Sequence, residues 1–264
     1  MAFNPKLTQW QDKRVWVIGA STGIGESLAR QLDERGARCM ISARSADKLN
    51  ELAGELKNAM PQPLDTTDLS TVKHAFEQLM NNWGGVDLVV LMAGTYSEMS
   101  VDKFDLKAVK QQIDVNLNGS MNILDTILPT VMGQKFGHIC IVSSVAGYRG
   151  LPNSLAYGPT KAALINLAEA LHMELKPSNV GVSVVNPGFV DTPLTRQNTF
   201  PMPFLTTSEN AAQEIIVGLE KGAFEIHFPK AFTRSLRALR VLPYSLYFAA
   251  VKKFTAGMNN DSKE

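Results

Sequence analysis

The chain has few cysteines and almost no net charge. Two of its 264 residues are cysteines, Cys39 and Cys140, and both lie in apolar runs. Disulfide frameworks and cysteine-based metal sites need more thiols at closer spacing, so we interpret both as buried core thiols. The formal net charge is +1, which gives no support for a nucleic-acid-binding surface.

Long hydrophobic runs and clusters of metal-ligating residues are also missing. The chain has no run of about 18 uncharged apolar residues, the length that a transmembrane helix needs. Its first ten residues do not have the pattern of a signal peptide, so a cytoplasmic location is expected. The four histidines are scattered, and no metal site is predicted. His138, His172 and His227 fall in strand or helix patterns, and we interpret them as structural.

Short apolar runs alternate with longer amphipathic segments along the whole chain. Strands are predicted at 14–19, 37–42, 60–64, 86–94, 137–144, 180–188 and 224–228. Helices are predicted at 25–36, 46–58, 68–82, 103–133, 155–176 and 208–221, with an irregular helical segment at 230–256. Residues 86–94 show no polar alternation, which is typical of a strand covered on both faces. The pattern predicts an α/β protein with a doubly wound parallel sheet of about seven strands and helices on both faces.

No linker or low-complexity segment divides the chain, so one domain spanning 1–264 is predicted. We expect residues 14–192 to hold the cofactor and catalytic residues and 193–223 to form a substrate loop or lid. A helical tail is predicted at 228–258. The longest irregular stretch is 189–206, and long loops of this kind often contact substrate.

A glycine-rich segment, GASTGIG, joins the first predicted strand to the first predicted helix at Gly19 to Gly25. Gly19 suits a tight turn, and Gly23 and Gly25 let the backbone approach a pyrophosphate at the helix N-terminus. Such a segment can also be a simple turn. Its position between a strand and a helix favours a dinucleotide-binding site of Rossmann type.

The end of the second predicted strand indicates which dinucleotide would bind. NAD-binding proteins usually place an acidic residue there, whereas this chain has Arg44 and Ser45 and no carboxylate between Met40 and Ala46. A guanidinium suits a 2′-phosphate because it forms charge-assisted, bidentate hydrogen bonds. The alternative is that Arg44 is a solvated surface residue. We predict NADP(H) as cofactor, with NAD(H) the less favoured choice.

A tyrosine and a lysine lie four residues apart in AYGPTKAA, on one face of a predicted helix. Tyr157 would have a pKa near 10 in water, and the Lys161 ammonium is expected to lower it enough for proton transfer. Ser143 and Ser144 end a buried strand at the sheet edge where ligands bind. Asn116 lies in an otherwise apolar helical segment. Its side chain either lies on the helix surface or reaches the site at this edge of the sheet.

These segments occur in an order that resembles the short-chain dehydrogenase/reductase family, in particular its NADP-preferring members. The matching segments, within 14–192, are GASTGIG, LDTTD, MAG, DVNLNG, VSSVAG, YGPTK and NPGFVDT. The resemblance implies that Tyr157 exchanges the proton and that Lys161 binds the nicotinamide ribose and lowers the tyrosine pKa. It implies that Ser144 bonds the substrate carbonyl, that Asn116 holds a water linked to Lys161, and that Asp65 bonds the adenine.

The resemblance also implies a full set of cofactor contacts, in which Pro187, Gly188 and Thr192 border the nicotinamide. The set is Gly19, Ser21, Thr22, Gly23, Ile24, Gly25, Arg44, Ser45, Asp65, Thr66, Ala93, Gly94, Asn116, Tyr157, Lys161, Pro187, Gly188, Val190 and Thr192.

The chain departs from the family pattern in three ways. Leu91 and Met92 replace asparagines that often precede the AG pair, so a hydrogen bond between neighbouring strands is expected to be missing. Thr22 stands where many NADP-preferring members have lysine or arginine, which leaves most of the phosphate recognition to Arg44. Pro159 lies inside the YxxxK segment, so we expect the helix to begin near residue 153 or 154, or to kink at the tyrosine.

Apolar side chains dominate the segments that are expected to contact substrate. The expected substrate residues are Ser144, Val145, Leu151, Tyr157, Phe189 and Leu194. The prediction is an NADP-dependent oxidoreductase that transfers a hydride between nicotinamide and a carbonyl or secondary alcohol of an apolar or lipid-like compound. The alternatives are a 3-oxoacyl thioester reductase and a non-catalytic NADP(H)-sensing protein.

The C-terminal segment 228–254 combines several basic residues with many apolar ones. Such a segment can lie on an anionic membrane surface, or it can pack on its own domain or a sister subunit with its arginines solvated. A homo-oligomer, either dimer or tetramer, is expected, with the helices at 103–133 and 155–176 as interface elements.

Overall fold

The computed structural model describes residues 2–198 and 200–260. Its strands are β1 Arg14–Ile18, β2 Arg38–Ser42, β3 Ala59–Pro61, β4 Leu88–Leu91, β5 His138–Val142, β6 Gly181–Pro187 and β7 Glu225–Phe228. Its α-helices are α1 Gly23–Glu34, α2 Ala46–Glu55, α3 Leu69–Trp83, α4 Leu106–Ile113, α5 Gly119–Gln134, α6 Tyr157–Leu175, α7 Ser208–Glu220, α8 Lys230–Arg240 and α9 Tyr244–Asn260.

The seven strands form one parallel sheet in the order β3-β2-β1-β4-β5-β6-β7. The strand order reverses between β1 and β4, and ligands of open α/β sheets bind at the carboxyl edge beside such a reversal. The predicted doubly wound parallel sheet is therefore confirmed. The backbone N–H of Met92 donates to the carbonyl of Ile18 at 2.9 Å, so the main chain ties the end of β4 to β1 although the asparagines are absent.

Alternate residues of each strand point into two separate hydrophobic layers. Trp16 and Ile18 pack on one face of the sheet with α3, α5 and α6, whereas Val15 and Val17 pack on the other with α1, α2 and α7. Cys39 and Cys140 are buried as free thiols, and burial raises the pKa of each to about 12. Both are core residues, as predicted.

The long predicted helix at 103–133 is interrupted in the structure. A 3-10 turn at Val101–Lys103 comes first, and α4 begins only after Asp105, whose carboxylate accepts from the backbone N–H of Lys107 at 2.8 Å. A π-helical turn at Asp114–Asn118 then separates α4 from α5. A π turn lies inside a helix and here contains neither glycine nor proline, so no break in the sequence marks it and one continuous helix was predicted.

Helix α6 begins at Tyr157 itself, not near residue 153 or 154 as expected, and places Pro159 in its first turn. A proline costs little there because the first helical N–H groups have no partner within the helix. The hydroxyl of Ser154 accepts from the backbone N–H of Gly158 at 3.0 Å. Tyr157 therefore lies at the start of the helix, next to the carboxyl edge of the sheet.

The C-terminal tail consists of two helices that pack on their own domain. Arg149 donates to the carbonyls of Leu239 at 3.1 Å and Leu242 at 2.7 Å, which are at and just beyond the end of α8. Its guanidinium also lies 4.0 Å from the ring centroid of Tyr247, whose hydroxyl donates to the carbonyl of Gly150 at 2.7 Å. Among the described helices, none is long and apolar enough to cross a bilayer.

Candidate active site

A cavity of about 500 Å³ opens at the carboxyl edge of the sheet, beside the reversal of strand order. Its walls come from the loops that follow β1, β2, β3, β4, β5 and β6. The structure brings together here every predicted cofactor residue except Asn116. The residues lining it from that set are Gly19, Ser21, Thr22, Gly23, Ile24, Gly25, Arg44, Ser45, Asp65, Thr66, Ala93, Gly94, Tyr157, Lys161, Pro187, Gly188, Val190 and Thr192.

The glycine turn between β1 and α1 leaves no room for side chains at two positions. Gly19 has a φ of +100°, and a Cβ added there would lie 2.7 Å from the backbone nitrogen of Ala93. A Cβ on Gly25 would overlap the carbonyl oxygen of Gly19. Thr22 precedes α1 and makes no side-chain capping bond within the described chain. The first N–H groups of α1 are thus available to an anionic group in the cavity.

The loops after β2 and β3 contribute polar side chains at one end of the cavity. Arg44 is exposed, and its side chain has no hydrogen bond or ion pair with any residue that the structure describes. Ser45 precedes α2 and also makes no capping bond with its side chain. The Oδ1 atom of Asp65 accepts from the backbone and hydroxyl of Thr67 at 2.9 and 2.8 Å. Arg44 and Ser45 are therefore uncommitted donors at the cavity wall.

Tyr157, Lys161 and Ser144 meet at the other end. The Nζ atom of Lys161 lies 5.5 Å from the Tyr157 ring centroid and donates to the carbonyl of Val142 at 3.0 Å. Ser144 follows β5 and begins a 3-10 turn by accepting from the backbone N–H of Ala146 at 3.1 Å. Its hydroxyl lies near enough to the Tyr157 phenol to lower the pKa of that phenol. The three side chains project from β5 and α6, two rigid elements.

Burial sets the protonation of this group. It raises the pKa of Tyr157 to about 12, and the neighbouring Ser144 hydroxyl offsets only part of the effect. Burial lowers the pKa of Lys161 to about 8. The expectation that the ammonium lowers the phenol pKa is therefore wrong for the protein alone, because removal of the ring from water dominates and the ammonium bonds a carbonyl. At neutral pH the phenol holds its proton.

Asn116 is fully buried in the π turn, and its side chain does not line the cavity. Its Nδ2 atom donates to the carbonyl of Thr95 at 3.0 Å and to the hydroxyl of Thr160 at 3.1 Å, and its Oδ1 accepts from the Thr95 N–H at 2.7 Å. A Cβ on Gly94 would lie 3.4 Å from Asn116 Oδ1 and 3.6 Å from Lys161 Nζ. The side chain braces the loop after β4 against α6, and its role in holding a water stays a prediction.

The predicted substrate residues divide into two groups. Ser144, Tyr157 and Leu194 line the cavity, whereas Val145, Leu151 and Phe189 do not. Val145 is only 8% exposed and packs in the core. The ring of Phe189 stacks on that of Phe232 in α8, with 5.5 Å between centroids. Sequence alone does not show which way a loop side chain points, so these three were assigned to the site without a directional signal.

Several lining residues were not predicted from the sequence. They are Ile18, Ala43, Leu64, Met92, Val115, Val142, Pro193, Thr195 and Gln197. Ser143, which the sequence places beside Ser144 at the end of a buried strand, also lines the cavity. Residues beside a predicted contact, such as Val142, could have been inferred from the strand end. Gln197 carries no such signal: its Nε2 donates to the carbonyls of Tyr96 at 3.2 Å and Leu194 at 2.8 Å. Tyr96 in turn packs edge-on against Tyr157 with 5.0 Å between ring centroids, and burial raises its pKa to about 12.

A parallel sheet with a glycine turn after β1, together with serine, tyrosine and lysine at the adjoining strand ends, defines a Rossmann-type fold with a nucleotide-sized crevice. A model of the family described as short chain dehydrogenase matches residues 13–201. The chain belongs to the short chain dehydrogenase family, which confirms the resemblance seen in the sequence. Within the described residues, no group of three or more His, Cys, Asp or Glu side chains could hold a metal ion.

Relatives and a solved structure agree with this assignment. An uncharacterised oxidoreductase of Myxococcus xanthus is 35% identical over 241 residues, which cover 90% of this chain and 95% of the relative. One of Staphylococcus epidermidis is 31% identical over 214 residues, covering 81% of this chain and 93% of the relative. A short chain dehydrogenase from Burkholderia cenocepacia, solved in complex with NADP, has a TM-score of 0.82 at 24% identity. That alignment covers 92% of this chain and 99% of the other, and it supports the fold.

Proposed function

We propose that the protein is an NADP(H)-dependent oxidoreductase that transfers a hydride between nicotinamide and a carbonyl or secondary alcohol. The observation that carries this proposal is the meeting of Ser144, Tyr157 and Lys161 in the same cavity as the glycine turn. A proton donor, a hydrogen-bond donor and a cation are the groups that carbonyl reduction needs.

The choice of NADP(H) rests on the loop after β2. Arg44 and Ser45 line the cavity with uncommitted donors, and no carboxylate lies between Met40 and Ala46 to bond a ribose diol. Gly19 and Gly25 keep the turn tight, since a Cβ at either position would meet backbone. The N–H groups at the start of α1, which Thr22 does not cap with its side chain, suit a dinucleotide pyrophosphate. The structural relative that was solved with NADP has the same fold.

The bound nicotinamide would supply the hydride in reduction and accept it in oxidation. In the reductive direction the carbonyl carbon gains the hydride and the carbonyl oxygen takes the proton of the Tyr157 hydroxyl. Ser144 donates a hydrogen bond to that oxygen as negative charge develops on it. With its pKa near 8, Lys161 is mostly protonated at neutral pH, and its ammonium stabilises the phenolate that Tyr157 becomes. Uptake of a proton from solvent restores the phenol.

The substrate end of the cavity favours an apolar carbonyl compound. Among the described lining residues, the charged side chains are Lys161 and, near the glycine turn, Arg44 and Asp65. A carboxylate or phosphate on the substrate would thus find no cation besides the catalytic lysine. Leu194 and Met92 provide apolar wall instead.

Two further parts of the proposal concern partners. Exposed apolar side chains on the predicted interface helices, such as Leu106 at 57% and Met173 at 67% exposure, support a homo-oligomer. Light scattering will test this, with a monomer as the contradicting result.

Exposed Tyr244, Leu246 and Phe248 on α9 support contact with a membrane surface, which co-sedimentation with anionic and neutral vesicles will test.

The experiment on activity follows NADPH consumption with 2-alkanones of increasing chain length, for the protein and for Tyr157→Phe. We expect the rate to increase with chain length and the variant to lose turnover while it still binds NADPH. A fall in rate with chain length would contradict the apolar substrate class. NADPH binding without any turnover would favour the non-catalytic sensor.

A further inference from the structure

The carboxylate of Glu225, at the start of β7, joins three separate parts of the fold. Its Oε1 atom accepts from the hydroxyl of Tyr148 at 2.6 Å and from Nδ2 of Asn186 at 2.9 Å. Its Oε2 atom lies 3.2 Å from Nη2 of Arg237 in α8, and the Glu225 side chain is only 17% exposed. None of these four residues lines the cavity, so any effect they have on the site passes through the main chain.

Tyr148 connects this carboxylate to the turn that carries Ser144. The turn is closed by hydrogen bonds from the N–H of Gly147 to the carbonyl of Ser144 at 3.0 Å and from the N–H of Tyr148 to the carbonyl of Val145 at 3.1 Å. It is four peptide units long and internally bonded, so it moves as one body. Tyr148 is 7% exposed, and burial together with its bond to Glu225 raises its pKa, which keeps the hydroxyl a donor.

Asn186 connects the same carboxylate to the cavity wall formed by Pro187 and Gly188. It is 1% exposed, and Nδ2 bonds Glu225, while Oδ1 has no partner among the residues described. The amide is therefore held on one side by the acceptor that also holds Tyr148. One oxygen atom thus fixes the corner after β6 relative to the turn after β5.

Arg237 neutralises the buried carboxylate and is itself held by a second acceptor, Nε2 of His227, at 3.1 Å. The Thr233 hydroxyl donates to the carbonyl of Pro229 at 2.9 Å, so it must accept from Nδ1–H of His227 at 2.6 Å. His227 is thus the neutral tautomer with a free lone pair on Nε2. Burial and the neighbouring cations lower its pKa to about 4, so this arrangement is stable at neutral pH.

We propose that Glu225 is a positioning residue that fixes the Ser144–Tyr148 turn against the Asn186–Gly188 corner and thereby sets the place of the Ser144 hydroxyl beside Tyr157. The inference rests on the proposed function. Loss of the shared acceptor leaves the Tyr148 hydroxyl and the Asn186 amide buried without a hydrogen-bond partner. Burial of unpaired polar groups is unfavourable, so the turn shifts to where these groups find other partners. A displacement of about 1 Å of a catalytic group can reduce turnover by about 100-fold.

Tyr148→Phe is the cleanest change, because it removes one hydroxyl and keeps the buried ring. We expect kcat for 2-alkanone reduction to fall about 10- to 100-fold with the Kd for NADPH unchanged. Exchange of the backbone amides of Ala146, Gly147 and Tyr148 with deuterium should speed up by a similar factor, since the bond lost has a charged acceptor. The matched control is Tyr247→Phe, which also removes a buried hydroxyl, here one bonded to the Gly150 carbonyl, and should change neither quantity.

The conservative variant Glu225→Gln keeps an oxygen acceptor for Tyr148, so it should retain more turnover than Glu225→Ala. Equal acceleration of exchange in Tyr148→Phe and Tyr247→Phe would mean general destabilisation and would overturn the proposal. So would a fall in kcat without faster exchange in the turn. If the protein neither binds NADPH nor reduces any ketone, the proposed function fails, and the exchange rates still decide whether Glu225 holds the turn.

Discussion

Replacing Arg44 by alanine removes a guanidinium from the loop after β2 at the wall of the cavity. The side chain is exposed and contacts no hydrogen-bond or ion-pair partner in the described part of the chain. Its truncation should therefore change the free energy of unfolding by less than about 0.5 kcal/mol. Any change in nucleotide affinity can then be assigned to the lost contact with the nucleotide.

The expected size of the change follows from the exposure of Arg44. A hydrogen bond to a charged partner contributes about 1.5–3 kcal/mol, and solvent screening at an exposed site reduces this to the lower part of the range. About 1.4–2 kcal/mol corresponds to NADPH binding that is about 10- to 30-fold weaker. NADH has a hydroxyl in place of the 2′-phosphate, so its affinity should change by less than about twofold.

Fluorescence titrations of NADPH and NADH at low and high salt give the four dissociation constants for each variant. Arg38→Ala is the matched control. Arg38 is the first residue of β2, at the opposite edge of the sheet from Arg44, and its guanidinium pairs with the Asp12 carboxylate at 3.3 Å. The Arg38→Ala variant should bind NADPH and NADH as tightly as the parent protein does. The loss of NADPH affinity caused by Arg44→Ala should be smaller in high salt. Equal weakening of NADPH and NADH by Arg44→Ala would refute the assignment of Arg44 to the phosphate.

Three further outcomes follow from the site and the core. Because the pKa of Lys161 is about 8, kcat/KM for ketone reduction should fall as pH rises through that value; a flat profile would contradict the role of its ammonium. Gly25→Ala, whose methyl group would overlap the Gly19 carbonyl, should lower the free energy of unfolding by about 1–3 kcal/mol in urea titrations, whereas Gly54→Ala, in open space, should not lower it. Burial lowers the pKa of His138 from 6.5 to about 3. Between these two pH values the histidine is protonated in the unfolded state and neutral in the folded state. Stability should then decrease as pH falls below 6.5 toward about 3, and His138→Gln should weaken that dependence.

The fold could be predicted because its signals are local. The run HICIV at His138–Val142 has no polar alternation and is buried at every position, as a central parallel strand requires. The glycine turn at Gly19–Gly25 lies between a strand and a helix, which fixes its place at the sheet edge. These short-range patterns predicted the sheet and most of the nucleotide-binding wall.

Other features depend on contacts between distant residues and could not be predicted. The π turn around Asn116 is held by bonds to Thr95 and Thr160, 21 and 44 positions away. The high pKa of Tyr157 arises from burial, and the ring of Tyr96, 61 positions away in the chain, packs edge-on against it. The spacing in the sequence indicates that Lys161 lies near Tyr157. It does not indicate how far the fold shields the phenol from water.

The contacts of Arg149 have a consequence for protein engineering. Arg149 lies in the loop that follows the Ser144–Tyr148 turn and donates hydrogen bonds to carbonyls at the end of α8. The C-terminal helices therefore depend on that loop for part of their packing. A chimera that receives the tail of another family member would lose these contacts unless the loop after β5 were transplanted with it. Domain-shuffling libraries that exchange both segments as one block should therefore contain more stably folded members than libraries that exchange the tail alone.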